Sequence, residues 1–413
     1  MAIVKPFKGI RPGENLAEEV ISLPYDVMNR KEAEEMASEK PNSFLHISRS
    51  EIDLPEVDNP YDKSVYEKAK ENLGKFLENG VLIQEESPAL YIYSEIMDGR
   101  RQTGIVACVS VDDYQNNIIK KHEFTRVEKE IDRINHFDVC NANTEPVFLT
   151  YRENRKLSSI IEGYVANNKP VYDLIAEDGI THQLWTITDE EILKAIVLLF
   201  DDIPALYIAD GHHRTASACK ISEKRRAENP GYTGEEEFNF FMAAIFPDTE
   251  LKIFDYNRVV KDLNGNSKEE FFDKVKKAGF KLEEKGKKEY SPKCKHEFSM
   301  YIDGKWYSLT AKNEIIPNNV IGALDVSILQ ENLLSPILGI DDPRTNKRID
   351  FVGGIRGLKE LERRAESDMC IGIAVYPVGI NDLLEVSDND LVMPPKSTWF
   401  EPKLGSGLFV HKL

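Results

Sequence analysis

The sequence predicts a mixed α/β protein, because strand and helix patterns alternate without the steady βαβ rhythm of a doubly wound sheet. Its 413 residues exceed what one hydrophobic core usually supports, so several structural units are expected. Period-two alternation begins near residue 90, and the composition becomes rich in lysine after about residue 262. We therefore expect an N-terminal α/β extension at 1–89, a core at 90–262 and a C-terminal α/β region at 263–413.

Two helices are predicted in the N-terminal extension. Asn29 and Glu32 have the spacing of a capping box at the start of KEAEEMASEK. In YDKSVYEKAKENLGKFLENG the apolar residues fall on one face, and Gly80 suits the C-terminal cap. Extended, proline-punctuated segments surround the first of these helices, so this part of the chain mixes short helices with irregular structure.

The core begins with a hairpin and contains one strand-to-helix junction of special interest. The stretch ALYIYSEIMDGRRQTGIVACVSV predicts two strands joined by an Asp98-Gly99 turn. Thr188 and Glu191 predict a second capping box, before EILKAIVLLFDDI, whose apolar residues on most sides favour a well-buried helix. ALYIAD is then a strand that leads through a glycine into the helix HHRTASACKISEKRRAEN.

The C-terminal region contains a lysine-rich amphipathic helix in NGNSKEEFFDKVKKAGF and a second Asp-Gly hairpin in FSMYIDGKWYSLTAK. Gly353-Gly354 in DFVGGIRG precedes a helix. Because the pair lacks the spacing of GxGxxG and of a Walker loop, it is weak support for nucleotide binding.

Composition argues against several classes of protein. A net charge of −18 disfavours nucleic acid as a partner, because such binding draws on Lys and Arg that neutralise phosphates. We find no apolar run near the ~20 residues that span a bilayer and no signal-peptide core at the start, so we expect a cytoplasmic protein without a membrane partner. Five scattered cysteines without a CxxC pair predict reduced thiols.

The motif DGHHRT at 210–215 is the strongest candidate site. A helix N-terminus offers unpaired N–H donors and the positive end of a macrodipole, so it binds anions. Glycine lets a ligand approach the backbone closely, and arginine offers a bidentate fork to phosphate. The expected phosphate-binding residues are Gly211, His212, His213, Arg214 and Thr215. Asp210 could orient a histidine, accept a substrate proton or hold Mg²⁺.

Other interpretations of this turn remain open. A capped helix with a half-buried histidine pair would use the same residues without a ligand. A metal site formed by His212 and His213 is less favoured, because adjacent helical side chains point about 100° apart and no HxxxH partner is near.

Two further polar segments carry candidate residues. In KHEFTRVEKEIDR, Glu123 follows an apolar run, although a charged helix start would explain the same pattern. NANTEP reads as a loop whose side chains could hydrogen-bond a ligand, although such turns are commonplace. The candidate residues in these segments are His122 and Glu123, whose role these residues alone leave open, and Lys129, Arg133, Asn143 and Thr144 as substrate-binding residues.

A resemblance to a known family adds to this interpretation. The motifs are SLPYDV, SFLHISRSEIDLP, KHEFT, NANTEPVF, ADGHHR, DFVGG and PPKSTWFEPK, spread over essentially the whole chain. ADGHHR resembles the phosphate-binding motif of the ParB/sulfiredoxin-like superfamily. With the other motifs, the chain resembles the pyrophosphate-dependent free L-serine kinases of a widespread bacterial and archaeal family.

The resemblance implies a ParB/sulfiredoxin-like core with N- and C-terminal α/β extensions. It implies a kinase that converts L-serine to O-phospho-L-serine in serine and cysteine metabolism, with Mg²⁺ and with pyrophosphate, ADP or ATP as donor. Glu123, in the His122-Glu123 pair, would be the base, and residues 211–214 would hold the transferred phosphate. One departure is Asn257 before Arg258, where the family usually has histidine, so the role of position 257 stays open.

Together these observations give a mechanistic hypothesis. The turn holds the phosphoryl oxygens, Glu123 accepts the hydroxyl proton, and Mg²⁺ bridges the donor oxygens with Asp210 as its protein ligand. Two alternatives are a ParB-like regulatory protein that binds a nucleotide or DNA, and a phosphatase that acts on small phosphoesters.

Overall fold

The computed structural model describes residues 2–413 and divides into two compact units. The first unit comprises the chain up to Leu251 together with Pro402–Leu413, and the second comprises Lys252–Glu401. The second unit is therefore inserted into the sequence of the first. None of the helices in residues 2–413 is long and apolar enough to cross a membrane.

The strands and helices of both units have the following bounds. The strands are β1 (Val4–Lys5), β2 (Ile10–Pro12), β3 (Leu82–Gln84), β4 (Leu90–Met97), β5 (Arg100–Ser110), β6 (Ile119–Lys120), β7 (Ala142–Asn143), β8 (Val147–Tyr151), β9 (Tyr172–Ile175), β10 (Thr181–Ile187), β11 (Leu206–Asp210), β12 (Phe240–Pro247), β13 (Ile253–Phe254), β14 (Tyr256–Val260), β15 (Phe280–Gly286), β16 (Glu297–Ile302), β17 (Lys305–Ala311), β18 (Ile349–Gly353), β19 (Ile371–Ala374), β20 (Trp399–Phe400) and β21 (His411–Lys412). The helices are α1 (Ala17–Val20), α2 (Arg30–Ala37), α3 (Leu45–Ser48), α4 (Lys63–Glu78), α5 (Val111–Gln115), α6 (Val127–Cys140), α7 (Arg155–Asn167), α8 (Glu190–Asp201), α9 (His212–Glu228), α10 (Lys268–Lys277), α11 (Asp325–Leu329), α12 (Gly357–Ser367) and α13 (Ile380–Asp388).

The first unit is built on a nine-stranded sheet with the order β6-β11-β8-β12-β5-β4-β10-β9, in which β1 also pairs with β5. β6 runs parallel to β11 and β8 runs parallel to β12, whereas the other neighbours are antiparallel. The predicted mixed α/β class is confirmed. α7, α8 and α9 contribute side chains to a core on the sheet that includes Leu149, Ile208 and Phe241.

The second unit has its own sheet and its own core. Six antiparallel strands follow the order β15-β17-β16-β19-β14-β18. Phe271, Phe298 and Ile373 are completely buried in its core. The lysine-rich helix is α10, and it begins with a capping box at Ser267.

Local signals in the sequence are confirmed where neighbouring residues determine the structure. Glu32 N–H donates to Asn29 Oδ1 at 3.1 Å and Asn29 N–H donates to Glu32 Oε2 at 2.8 Å, which completes the capping box of α2. Asp98 and Gly99 have φ of 51° and 77° and join β4 to β5. The Asp303-Gly304 turn joins β16 to β17 in the same way, with φ of 51° and 73°.

The prediction for α8 was wrong in two respects. Its N-cap is Asp189 rather than Thr188, because the Asp189 carboxylate accepts hydrogen bonds from the backbone N–H groups of Glu191 and Ile192 at 3.0 Å. The helix also covers the sheet with one face only, so Ile196 is buried while Leu198 is 65% exposed. A run of apolar residues does not by itself show that all sides of a helix are covered.

The compact units do not coincide with the division into 1–89, 90–262 and 263–413, which stays a prediction. Residues 2–89 belong to the first unit, where β1 pairs with β5 and Phe7 pairs with Ala89. β14, which precedes residue 262, pairs with β18 and β19 in the second unit. The segment 402–413 returns to the first unit, where β21 pairs with β7.

Packing accounts for the glycine pair and for Asn257. A β-carbon at Gly353 would lie 2.8 Å from the Trp399 ring, and one at Gly354 would overlap the Asp255 carboxylate. Asn257 is fully buried, and its Oδ1 accepts a hydrogen bond from Val375 N–H at 3.1 Å. These contacts give both features a structural role within the second unit.

Candidate phosphate-binding site

The turn between β11 and α9 presents free backbone donors. Gly211 has φ of 94°, a conformation that favours glycine, and it precedes a helix of 17 residues. Gly211 N–H donates to Asp210 Oδ1 at 2.8 Å. No side chain in residues 2–413 caps the helix, so the N–H groups of its first turn lack the usual cap. This geometry suits an anion.

Asp210 is held by positive charges. Its Oδ2 atom lies 3.1 Å from the Nζ atom of Lys403, which follows the second unit in the sequence. Burial alone would raise the pKa of the Asp210 carboxyl, but the Lys403 ammonium and the Arg214 guanidinium overcome this effect and hold the pKa below its usual range. Asp210 is therefore ionised at neutral pH and anchors a cation beside the turn.

Arg214 folds back under Gly211. Its side chain is buried, Nη1 donates to the Pro146 carbonyl at 2.5 Å, and a β-carbon at position 211 would lie 3.0 Å from Nε. Thr215 lies deeper, and its hydroxyl donates to the Gly211 carbonyl at 3.2 Å. The Arg214 guanidinium thus packs against Gly211 and brings positive charge to the turn. The Thr215 hydroxyl proton is already donated within the helix.

His122 and His212 form a buried pair next to the turn. Their rings are perpendicular with centroids 4.6 Å apart, and the residues are only 2% and 6% exposed. Within residues 2–413, the Ile208 backbone is a hydrogen-bond partner for one nitrogen of His122, whereas Nε2 of His212 has none. Burial lowers the pKa of His122 to about 4 and lowers the pKa of His212 well below its usual value, so both rings are neutral at pH 7.

His213 connects the helix to the segment that carries Glu123. Its Nε2 atom accepts a hydrogen bond from the backbone N–H of Arg126 at 2.9 Å, and burial lowers its pKa. Glu123 is half-buried, and its carboxylate and the imidazoles of His122 and His212 bring their ligand atoms within 4.8 Å of one another. The structure therefore brings together the predicted residues of KHEFT and DGHHRT.

A second group of buried polar residues lies in α6 and the segment after it. The Arg133 guanidinium lies 3.9 Å from the centre of the Tyr25 ring, and Glu145 Oε1 accepts a hydrogen bond from Ser406 Oγ at 2.6 Å. Burial raises the pKa of Glu145 against the opposing effect of Arg214 and Arg133. Five buried polar atoms in this part of the described chain lack a partner: Arg133 Nη1, His136 Nδ1, Asn143 Nδ2, Thr144 Oγ1 and Glu145 Oε2.

Such atoms mark a place where a polar ligand or water fits, because buried polar groups are nearly always hydrogen-bonded. Lys129 differs from the other predicted residues. It is half-buried, and its Nζ donates to the Tyr61 hydroxyl at 3.1 Å. Its recorded contact is thus with Tyr61 and not with the turn.

A cleft of about 720 Å³ in the first unit includes Lys403 in its wall. His182 also lines it, and the His182 Nδ1 atom lies 2.6 Å from the Tyr93 hydroxyl, which in turn lies 3.1 Å from Glu95 Oε1. Carboxylates dominate the remaining charged lining: Glu18, Glu19, Glu39, Glu177 and Asp178, with Lys40. Lys403 therefore contacts Asp210 at the turn and also lines this acidic cleft.

Three of the sequence motifs contain residues of this site that the sequence did not single out. These residues are Tyr25 in SLPYDV, Glu145 in NANTEPVF and Lys403 in PPKSTWFEPK. The available signal was a charged or aromatic residue inside each motif. Only the fold shows that Lys403, 193 residues from Asp210, reaches the same turn.

The chain resembles the following known proteins. Residues 4–327 match the model of a family described as a protein of unknown function, DUF1015. No curated protein matches the chain. Similar solved structures include a free serine kinase mutant in complex with AMP, at 12% identity over 73% of this chain and 92% of that chain, with a TM-score of 0.37.

SbnI with a C-terminal truncation from Staphylococcus aureus is 10% identical over 74% of this chain and 87% of that chain, with a TM-score of 0.39. A conserved hypothetical protein from Pyrococcus furiosus is 13% identical over 74% of this chain and 95% of that chain, with a TM-score of 0.35. At these identities and TM-scores the likeness does not assign an activity or a ligand to this chain. Because the family model matches well over half of its residues, the chain belongs to the DUF1015 family.

Proposed function

We propose that this protein is a phosphotransferase that phosphorylates free L-serine to O-phospho-L-serine, with pyrophosphate, ADP or ATP as the donor. One observation carries the proposal. The uncapped N-terminus of α9 lies beside the buried Arg214 and the Asp210–Lys403 ion pair, and Glu123 lies within 4.8 Å of His212 in the first turn. This arrangement supports a phosphate site with a carboxylate base beside it.

The turn supplies the positive surroundings that a transferring phosphoryl group needs. Backbone N–H groups at the start of α9 would donate to its oxygens, and the macrodipole adds partial positive charge. Because Arg214 is buried and fixed by Pro146, its charge needs no rearrangement during the reaction. His213 accepts a hydrogen bond from the Arg126 N–H, so we propose that it mainly positions the segment that contains Glu123.

Glu123 would accept the proton of the serine hydroxyl as this oxygen attacks phosphorus. The O–P bond to serine forms while the bond to the leaving phosphate oxygen breaks, and the proton passes to the Glu123 carboxylate. A positioned base of this kind typically contributes ~10²–10⁴-fold to the rate. The remaining acceleration would come from alignment and from the charges around the turn.

The group of unpartnered polar atoms suits a zwitterionic amino acid. Arg133 Nη1, Asn143 Nδ2 and Thr144 Oγ1 can donate to a carboxylate, and Glu145 Oε2 can accept from an ammonium group. Arg133 and Glu145 already attract one another electrostatically. We therefore propose that the backbone groups of the acceptor serine bind there.

Asp210 fits poorly as a ligand of Mg²⁺. Both of its oxygens already accept hydrogen bonds, from Gly211 N–H and from Lys403, and Lys403 and Arg214 supply two positive charges nearby. Mg²⁺ at Asp210 stays a prediction from the sequence. We propose instead that Mg²⁺ arrives with the donor phosphates, which bind it through oxygen and need few protein ligands.

Phosphorus NMR tests the proposed function directly. The purified chain would be incubated with L-serine and Mg²⁺ and, separately, with pyrophosphate, ADP and ATP. We expect phosphoserine from one of these donors, a rate lower by ~10²–10⁴-fold in Glu123→Gln, and an unchanged rate in the control Lys194→Ala, a lysine exposed on α8.

Other results would favour the alternatives. Release of inorganic phosphate without phosphoserine would identify a phosphatase. Retention of DNA or of a nucleotide without any turnover would identify a regulatory binding protein and would refute the kinase proposal.

A further inference from the structure

Three side chains near the phosphate turn have the composition of a transition-metal site. His122 and Glu123 come from the segment after β6, and His212 opens α9, so the group is assembled from parts of the chain that lie 90 residues apart. Their ligand atoms all lie within 4.8 Å of one another. Imidazole nitrogens with one carboxylate suit zinc and related metals, whereas Mg²⁺ prefers oxygen ligands.

Each of the two histidines has a buried nitrogen without another use. His122 Nδ1, His122 Nε2 and His212 Nε2 are buried, and within residues 2–413 the Ile208 carbonyl lies where it can accept from one His122 nitrogen. A neutral imidazole has one N–H and one lone-pair nitrogen, and an unpaired buried polar atom costs free energy. With the N–H of His122 directed to Ile208, one lone-pair nitrogen on each ring would be available to a metal ion.

Another group of similar composition provides a contrast. Cys108, Glu237 and His411 also bring ligand atoms within 4.8 Å of one another. Both ring nitrogens of His411 are already engaged, however, with Asn143 Oδ1 at 3.2 Å and with Glu237 Oε2 at 2.8 Å. Hydrogen bonds thus engage both nitrogens of His411, whereas His122 and His212 each keep a buried nitrogen without a partner among residues 2–413.

We infer that His122, Glu123 and His212 bind one divalent transition-metal ion of the zinc, manganese or cobalt class. Ligand atoms around tetrahedral zinc lie about 3.3 Å apart for bonds of ~2.0–2.1 Å, so the three side chains would close slightly around the ion. Glu123 would bind the ion through one carboxylate oxygen and keep the other for the hydroxyl proton, and a fourth position would remain for water or a phosphate oxygen. This inference goes beyond the proposed function, which includes no transition metal. Metal binding can also be measured without turnover.

Metal content tests the inference. The full chain, without a histidine tag, would be dialysed against a chelator and then titrated separately with Zn²⁺, Mn²⁺ and Co²⁺. Bound metal is measured by mass spectrometry and, for Co²⁺, by its visible absorption. We expect one tightly bound ion per chain and an affinity at least ~100-fold lower in His122→Ala and in His212→Ala, since even supporting residues change affinity 10–100-fold.

Two comparisons keep the result unambiguous. His122→Asn and His212→Asn retain a polar side chain of similar size, and circular dichroism would show whether each variant is folded. His411→Gln should keep the full metal content. Absence of stoichiometric metal, loss of metal in His411→Gln, or full retention in folded His122 and His212 variants would each overturn the inference.

The two proposals can fail separately. Stoichiometric metal without phosphoserine formation would leave the metal site and remove the kinase proposal. Phosphoserine formation by a chain that contains no transition metal would do the opposite.

Discussion

Gly211→Ala offers a sharp test of the phosphate-binding turn. Gly211 has φ of 94°, and alanine in this left-handed region costs about 1–2 kcal/mol. The new β-carbon would also lie 3.0 Å from Arg214 Nε and 3.2 Å from Arg214 Cζ. Displacement of the guanidinium would endanger its hydrogen bond to Pro146, and a bond of this charged kind contributes about 1.5–3 kcal/mol.

Gly234→Ala is the matched control. Gly234 has nearly the same φ, 97°, but a β-carbon there would meet nothing within 4 Å. The control should therefore lower the free energy of unfolding only by the backbone strain of about 1–2 kcal/mol. Gly211→Ala should lower it by about 2.5–5 kcal/mol, which adds the Arg214 contribution.

Urea unfolding measures both stabilities, and isothermal titration with pyrophosphate measures anion binding. We expect the dissociation constant to rise at least ~tenfold in Gly211→Ala, equivalent to about 1.4 kcal/mol, and to be unchanged in Gly234→Ala. Equal anion binding by Gly211→Ala and the unsubstituted chain would refute the role of this turn. Equal stability losses in the two variants would refute the contact with Arg214.

Three further predictions concern charge and packing. Lys403→Met should lower the free energy of unfolding by roughly 1–3 kcal/mol, and adding Asp210→Asn should recover part of this loss in urea titrations. Burial lowers the pKa of His136 and His182 to about 4, so the unfolded chain binds more protons between about pH 4 and 6.5. The free energy of unfolding should fall as the pH decreases through this window, and a His182→Gln variant with the same slope would contradict the assignment. Gly354→Ala should destabilise the second unit by about 1–3 kcal/mol through overpacking, while calorimetric binding of pyrophosphate stays unchanged.

The features that the sequence predicted well depend on near neighbours. The capping box of α2 needs only Asn29 and Glu32, and the first hairpin needs only Asp98-Gly99 between alternating strands. The strand, glycine and helix around DGHHRT are likewise local, and α9 begins where the motif indicates. In each case the residues that form the structure are adjacent in sequence.

The arrangement of the site depends on long-range pairing that periodicity does not specify. His122 and His212 meet because β6 and β11 are neighbouring parallel strands, so the segments that follow them lie side by side. Lys403 reaches Asp210 only because the chain returns to the first unit after the second. Candidate residues can therefore be identified from the sequence, but which of them contact one another depends on the order of the strands.

The insertion of the second unit has a consequence for biosynthesis. Lys403 and Ser406 are translated after all 150 residues of Lys252–Glu401. At about 5–20 residues per second, the earlier part of the first unit waits roughly 8–30 seconds on the ribosome before these residues exist. During that interval the nascent chain has Asp210 without its ammonium partner and Glu145 without the Ser406 hydroxyl. Translation itself thus delays completion of the candidate anion site until the inserted unit has been made.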